Sequence, residues 1–66
     1  MNYKMKAARV EKGLSQADLA KIVNVSRQTI ILIEQEKFNP SINLCKNICK
    51  ALGRTLDDLF WGKEDE

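Results

Sequence analysis

The chain has 66 residues, 44% of them apolar and 30% charged, with a net charge of +2. That length admits one domain at most, with a core that buries only about 60% of what the unfolded chain exposes. No apolar run approaches the roughly 20 residues needed to span a bilayer, and the start, Met1 to Lys6, lacks the apolar block of a secretory signal, so the expected compartment is the cytoplasm.

The pattern along the chain is helical throughout. β-branched residues fall mostly at helical rather than alternating spacing, and there are no repeats, low-complexity tracts or internal linkers. The first helix is expected from Tyr3 or Lys4 to Lys12, ended by Gly13, with Met5, Ala8 and Val10 inward. Ser15 with Asp18 three residues on reads as a variant capping box. The second helix then covers Gln16 to Val23, with Leu19, Ala20 and Val23 inward. Asn24 breaks it, because Asn tolerates the left-handed conformation. Ser26 caps a third helix that runs to Gln35 or Glu36, with Ile30 and Ile33 inward. The loop Lys37-Phe38-Asn39-Pro40 follows.

Ser41 caps the fourth helix, which ends before Gly53. Its apolar stripe is Ile42, Cys45, Ile48, Cys49 and Leu52. The two cysteines lie four apart, there is no His, and the spacing fits no zinc pattern. They read as small buried residues, and no metal or cofactor is expected. Thr55 and Asp58 cap a short fifth helix through Phe60. The tail from Gly62 to Glu66 is expected to fray. The fold expected is all-α: five short helices in a single domain over 1–66.

Charge is unevenly spread. Residues 1–56 carry ten Lys or Arg against four acids, net +6; residues 57–66 carry one Lys against five acids, net −4. A basic body suits a polyanion on one face, although a mixed solvated surface reads equally well from charge alone.

The functional signal lies in residues 16–35, QADLAKIVNVSRQTIILIEQ. Only three residues separate the second helix from the third, the turn length of a helix-turn-helix unit. Two helices crossing steeply beside such a turn need a small residue in the first, and Ala20 is there. The turn needs a residue content at positive φ, Asn24, followed by a core plug, Val25. The second helix needs apolar residues three apart, Ile30 and Ile33.

In these positions, in the Asn-Pro-Ser of residues 39–41 and in the Ala-Leu-Gly of residues 51–53, the chain resembles the phage-repressor, or Xre/Cro-like, helix-turn-helix family, with a lambda-repressor-like fold. The resemblance runs from Lys4 to Trp61 and is greatest to the small stand-alone regulators of that family. It implies sequence-specific binding of double-stranded DNA, with the N-terminal residues of the third helix, Ser26, Arg27, Gln28 and Thr29, in the major groove. Arg reads guanine and Gln reads adenine through two hydrogen bonds each, so the residue types suit base reading. Gln28 is the first choice, and Arg27 can meet a base or a phosphate. The resemblance implies a phosphate contact for Gln16, and Lys37 and Asn39 are further expected backbone contacts. Read singly, these are ordinary surface residues: Ser26 is certainly a cap and Thr29 can simply pack. Similar domains pair an Arg in the first helix with a Glu late in the third; Arg9 and Glu34 match and are expected to form a structural ion pair.

The chain departs from the pattern at Ile31 and Leu32, where similar helices are mostly polar. Ile31 or Leu32 is expected to meet a thymine methyl group, with Ile31 counted among the DNA-binding residues; packing of one of them against Phe38 or the first helix, or a protein partner on this helix, are the other readings. The C-terminal aromatics exceed what a thin core hides. The resemblance to small repressors then implies a two-fold homodimer through Leu56, Leu59, Phe60 and Trp61, with Met1 to Tyr3 adjoining, reading a near-palindromic operator as a transcriptional repressor; the other reading is that Phe60 closes the core and only Trp61 is exposed. Alternatively the domain is an antitoxin-like interaction module that binds DNA only secondarily. Catalysis is not expected: there is no His, no metal-ligand cluster, no phosphate loop and no room for a pocket of the usual size. No second domain for a small-molecule effector is expected either.

Overall fold

Each helix begins where a short polar side chain can take up a backbone N–H that the helix itself leaves unpaired. The computed structural model describes residues 1–61, so the expectation for residues 62–66 lies outside the described residues. Helix α1 is Tyr3–Glu11, α2 is Gln16–Val23, α3 is Arg27–Glu34 and α4 is Ile42–Leu52, followed by a five-residue π-helical turn, Asp57–Trp61. Among the described residues there is no strand.

The expected caps form. Ser15 Oγ accepts from Asp18 N at 2.9 Å while Asp18 Oδ2 accepts from Ser15 N at 3.0 Å. Ser26 Oγ accepts from Thr29 N and Ser41 Oγ from Leu44 N, both at 3.1 Å. Thr55 and Asp58 repeat the reciprocal arrangement, 3.1 Å in each direction. Asn2, expected beside the dimer contact and not as a cap, caps α1 through a 3.0 Å bond from Met5 N.

The turn between α2 and α3 is built as the sequence implies. Asn24 takes the left-handed conformation at φ 62°, ψ 46°, and Val25 N–H returns to Ala20 O at 2.9 Å. Ala20 is 4% exposed. It lies on the helix that packs against both α3 and α4, where any larger side chain would push the helices apart. A second left-handed residue, Glu36 at φ 62°, stops the chain after α3.

The core is Met5, Ala8, Leu19, Ala20, Val23, Ile30, Ile33, Ile48, Cys49, Leu52 and Leu59, and Cys45 is also buried. Two expected core positions are corrected. Val10 is 59% exposed, because Met5, Ala8 and Arg9 occupy one face of α1 and Val10 stands well around the helix from them. Ile42 is 53% exposed, since it is the first residue of α4 and lies at the end of the covered stripe. The fifth helix runs one residue further than expected and is wound more widely, as a single π-turn that carries Leu59 into the core, leaves Phe60 half-buried and projects Trp61 outward.

Candidate nucleic-acid interface

Arg9 on α1 and Glu34 at the end of α3 are the charged residues of the core, 8% and 1% exposed. They pair as expected. Arg9 Nε donates to Glu34 Oε2 at 2.7 Å, and Nη2 donates to Oε1 at 3.4 Å. Arg9 Nη1 donates to Leu14 O at 2.8 Å, so the guanidinium also ties down the link into α2. A buried ion pair adds little net stability over apolar side chains of similar volume, yet breaking it is costly. Here the pair holds the C-terminal end of α3 against α1.

A third residue joins them. Gln16, the first residue of α2, donates from Nε2 to Glu34 Oε1 at 3.2 Å. The side chain expected only as a phosphate contact is thus half-buried and already partnered inside the protein. Asn2 fastens the same region from the other side: its backbone N–H donates to Glu34 O at 2.7 Å and its Nδ2 to Leu59 O at 2.9 Å. One residue therefore joins the start of α1 and the π-turn through its side chain and the end of α3 through its backbone. Nothing in hydrophobic periodicity signals such a residue; the one sequence clue is an Asn immediately before a helix.

With its C-terminal end held, α3 presents its N-terminal end to solvent. Ser26, Arg27 and Gln28 are exposed and Thr29 is half-buried. The Ser26 and Thr29 hydroxyls lie 2.9 Å apart in a mutual hydrogen bond. Ile31 and Leu32 are both half-buried, so the apolar run neither disappears into the core nor stands fully in water. Lys37 and Asn39 are exposed in the following loop.

Of the four expected interface residues at the C-terminal end, Leu59 is corrected: it is 5% exposed and part of the core, with no surface to offer a second chain. Leu56 and Phe60 pack half-buried against that core, and Trp61 is 54% exposed. The size argument against a pocket is corrected too. An open groove of about 760 Å³ runs between the start of α1, the α3–α4 loop and the π-turn, lined by residues that include Tyr3, Ile33, Phe38, Pro40 and Phe60. Tyr3 and Phe38 on its walls are 69% and 46% exposed. The thiols of Cys45 and Cys49 are free, and burial pushes both above their ordinary titration range, with each other's proximity adding to the effect at Cys49.

Residues 5–59 match the helix-turn-helix family. The chain belongs to that family, in its phage-repressor type. This is a family of DNA-binding transcriptional regulators, not of enzymes. An uncharacterized HTH-type transcriptional regulator of Methanocaldococcus jannaschii is 46% identical over the full length of both chains. The immunity repressor protein of Bacillus phage phi105 is 38% identical over 53 residues, 80% of this chain and 37% of the phage protein. Among solved structures, the clp gene regulator ClgR from Corynebacterium glutamicum superposes with a TM-score of 0.80 at 26% identity, covering 86% of this chain. The present chain spans 61% of that regulator's length.

Proposed function

We propose that this chain is a homodimeric transcriptional repressor that reads a near-palindromic operator through the N-terminal end of α3. The observation that carries the reading is the exposed pair Arg27 and Gln28 at the free end of a helix whose other end is locked by a buried ion pair. Bidentate recognition requires a rigidly presented side chain, and this arrangement supplies the rigidity. Gln28 reads adenine; Arg27 meets guanine or a phosphate; the Thr29 hydroxyl, held by Ser26, and the half-buried Ile31 face the groove, with Ile31 against a thymine methyl. Gln16, Lys37 and Asn39 meet phosphates and set the register. The repressor sense is supported by the similarity to the phage phi105 protein.

Dimerisation is supported by the exposed aromatic residues around the open groove and by the thin core of so short a chain. In this reading Trp61, flanked by Leu56, Phe60 and Tyr3, meets a second copy. Two-fold pairing puts the recognition helices about 34 Å apart, one turn of DNA.

Selection of bound sequences from a random duplex pool, followed by fluorescence anisotropy at fixed salt, tests the reading. A near-palindrome should be enriched, and Gln28→Ala should weaken its binding by roughly 5- to 150-fold, as loss of a bidentate base contact implies, while binding to random duplex stays unchanged. No enrichment, or equal losses on both duplexes, would overturn base reading by α3. The interaction-module reading would take its place if a protein partner bound with unchanged affinity in the Gln28→Ala variant.

A further inference from the structure

The hydrogen bond between Gln16 and Glu34 links α2 to α3 at the rim of a core that already holds Ala20, Ile30 and, packed against it, Val25. We infer that Glu34 is a positioning residue for DNA binding: it turns the Gln16 amide so that the free N–H of Nε2 faces the phosphate. The inference rests on the DNA-binding reading above.

The chemistry leaves the amide one orientation. Glu34 is paired with Arg9, and an ionised carboxylate only accepts hydrogen bonds. The Gln16 group 3.2 Å from Glu34 Oε1 must therefore be the NH2 and not the carbonyl oxygen, since a flipped amide would set two acceptors against each other. Glu34 cannot turn away to accommodate such a flip. It is 1% exposed and held at both oxygens by Arg9. An NH2 group has two hydrogens, and Glu34 takes one. The other stays on a nitrogen at the half-buried edge of the site, at the first residue of α2. An unrestrained glutamine would present its oxygen to solvent as readily as its nitrogen, and an oxygen repels phosphate. The buried ion pair thus selects the donor face of a neutral side chain, and the buried pair and the DNA backbone are two bonds apart through Gln16.

Two measurements test this. In the free wild-type protein, ¹⁵N relaxation of the glutamine side-chain amides should give Gln16 an order parameter above about 0.6, with the exposed Gln28 and Gln35 below it. Equal values at the three sites would overturn the inference without any variant having to fold. In a double-mutant cycle on the selected duplex, Gln16→Met and Glu34→Asp should each weaken binding roughly tenfold, the scale of one hydrogen bond to a charged group. The double variant should bind as Gln16→Met does, and the salt dependence of all four proteins should be the same because no charge is removed. Losses that multiply would overturn the positioning role while leaving DNA binding intact. A wild-type chain that bound no duplex would overturn both.

Discussion

Arg9 shows how a single side chain can be necessary without being a net source of stability. It is 8% exposed, and its loss would strand Glu34, at 1% exposure, as an unpaired buried charge. Arg9→Met should therefore destabilise the fold by about 3–5 kcal/mol, whereas the double change Arg9→Met with Glu34→Leu should recover much of that loss, because two apolar side chains remove the desolvation cost as well as the attraction. Urea denaturation of the three variants measures it; a double variant no more stable than Arg9→Met would contradict the argument. Asn24 offers the backbone counterpart. At φ 62° a β-branched residue is strained, so Asn24→Val should cost about 1–2 kcal/mol and Asn24→Gly much less. Both residues were legible in the sequence, because a left-handed turn and a matched charge pair each restrict the residue types allowed. Asn2 and the inner bond of Gln16 were not. An amide side chain offers donors and acceptors in several directions, and only the folded neighbours decide which of them are used.

At the scale of elements, the helix starts were the most readable feature, since each needs a Ser, Thr, Asp or Asn at one position. Helix faces were read well in the middle of each helix and badly at the ends. Ile42 obeys the stripe of α4 but lies at its first turn, where the cover runs out. Val10, near the end of α1, stands off the face that Met5, Ala8 and Arg9 occupy. The capping boxes also carry a pH dependence. Hydrogen bonds from the Ser15 backbone and hydroxyl hold Asp18 below the usual carboxylate range, and the Thr55 backbone and hydroxyl do the same for Asp58. A depressed folded value means that these carboxylates stabilise the fold fully above about pH 3.9, the unfolded value, and lose that contribution as pH falls through their folded values. Melting temperatures measured from pH 7 to pH 2 should show the variant Asp18→Ala/Asp58→Ala below wild type at neutral pH. The two curves should draw together at the acid end. A gap that stays constant would mean that the caps do not act through ionisation.

At the scale of the whole molecule, two surfaces are separated: the free end of α3, and the aromatic groove where α1, the α3–α4 loop and the π-turn meet. The first was anticipated by residue type and position. The second was anticipated only in outline, because the sequence shows how many aromatics there are but not which of them a thin core can absorb. Phe60 packs half-buried against the core and Trp61 stays out. If the groove is where two copies meet, sedimentation should show a dimer that Trp61→Ser converts to monomer with little change in the monomer's helicity. The same substitution should weaken binding to a full palindrome far more than to a half-site, because only the full site gains from joining two domains. Equal effects on the two duplexes would locate the dimer contact elsewhere.

The buried thiols of α4 have a practical consequence. Cys45 and Cys49 are 5% and 4% exposed, and burial favours their protonated, unreactive form. A thiol reagent can then reach them only when α4 detaches from the rest of the molecule, so the labelling rate at neutral pH counts openings of the native state. A ligand that binds only the closed form suppresses those openings in proportion to its saturation, about a hundredfold when present at a hundred times its Kd. The chain therefore contains its own reporter of DNA occupancy, legible by mass spectrometry without any attached dye.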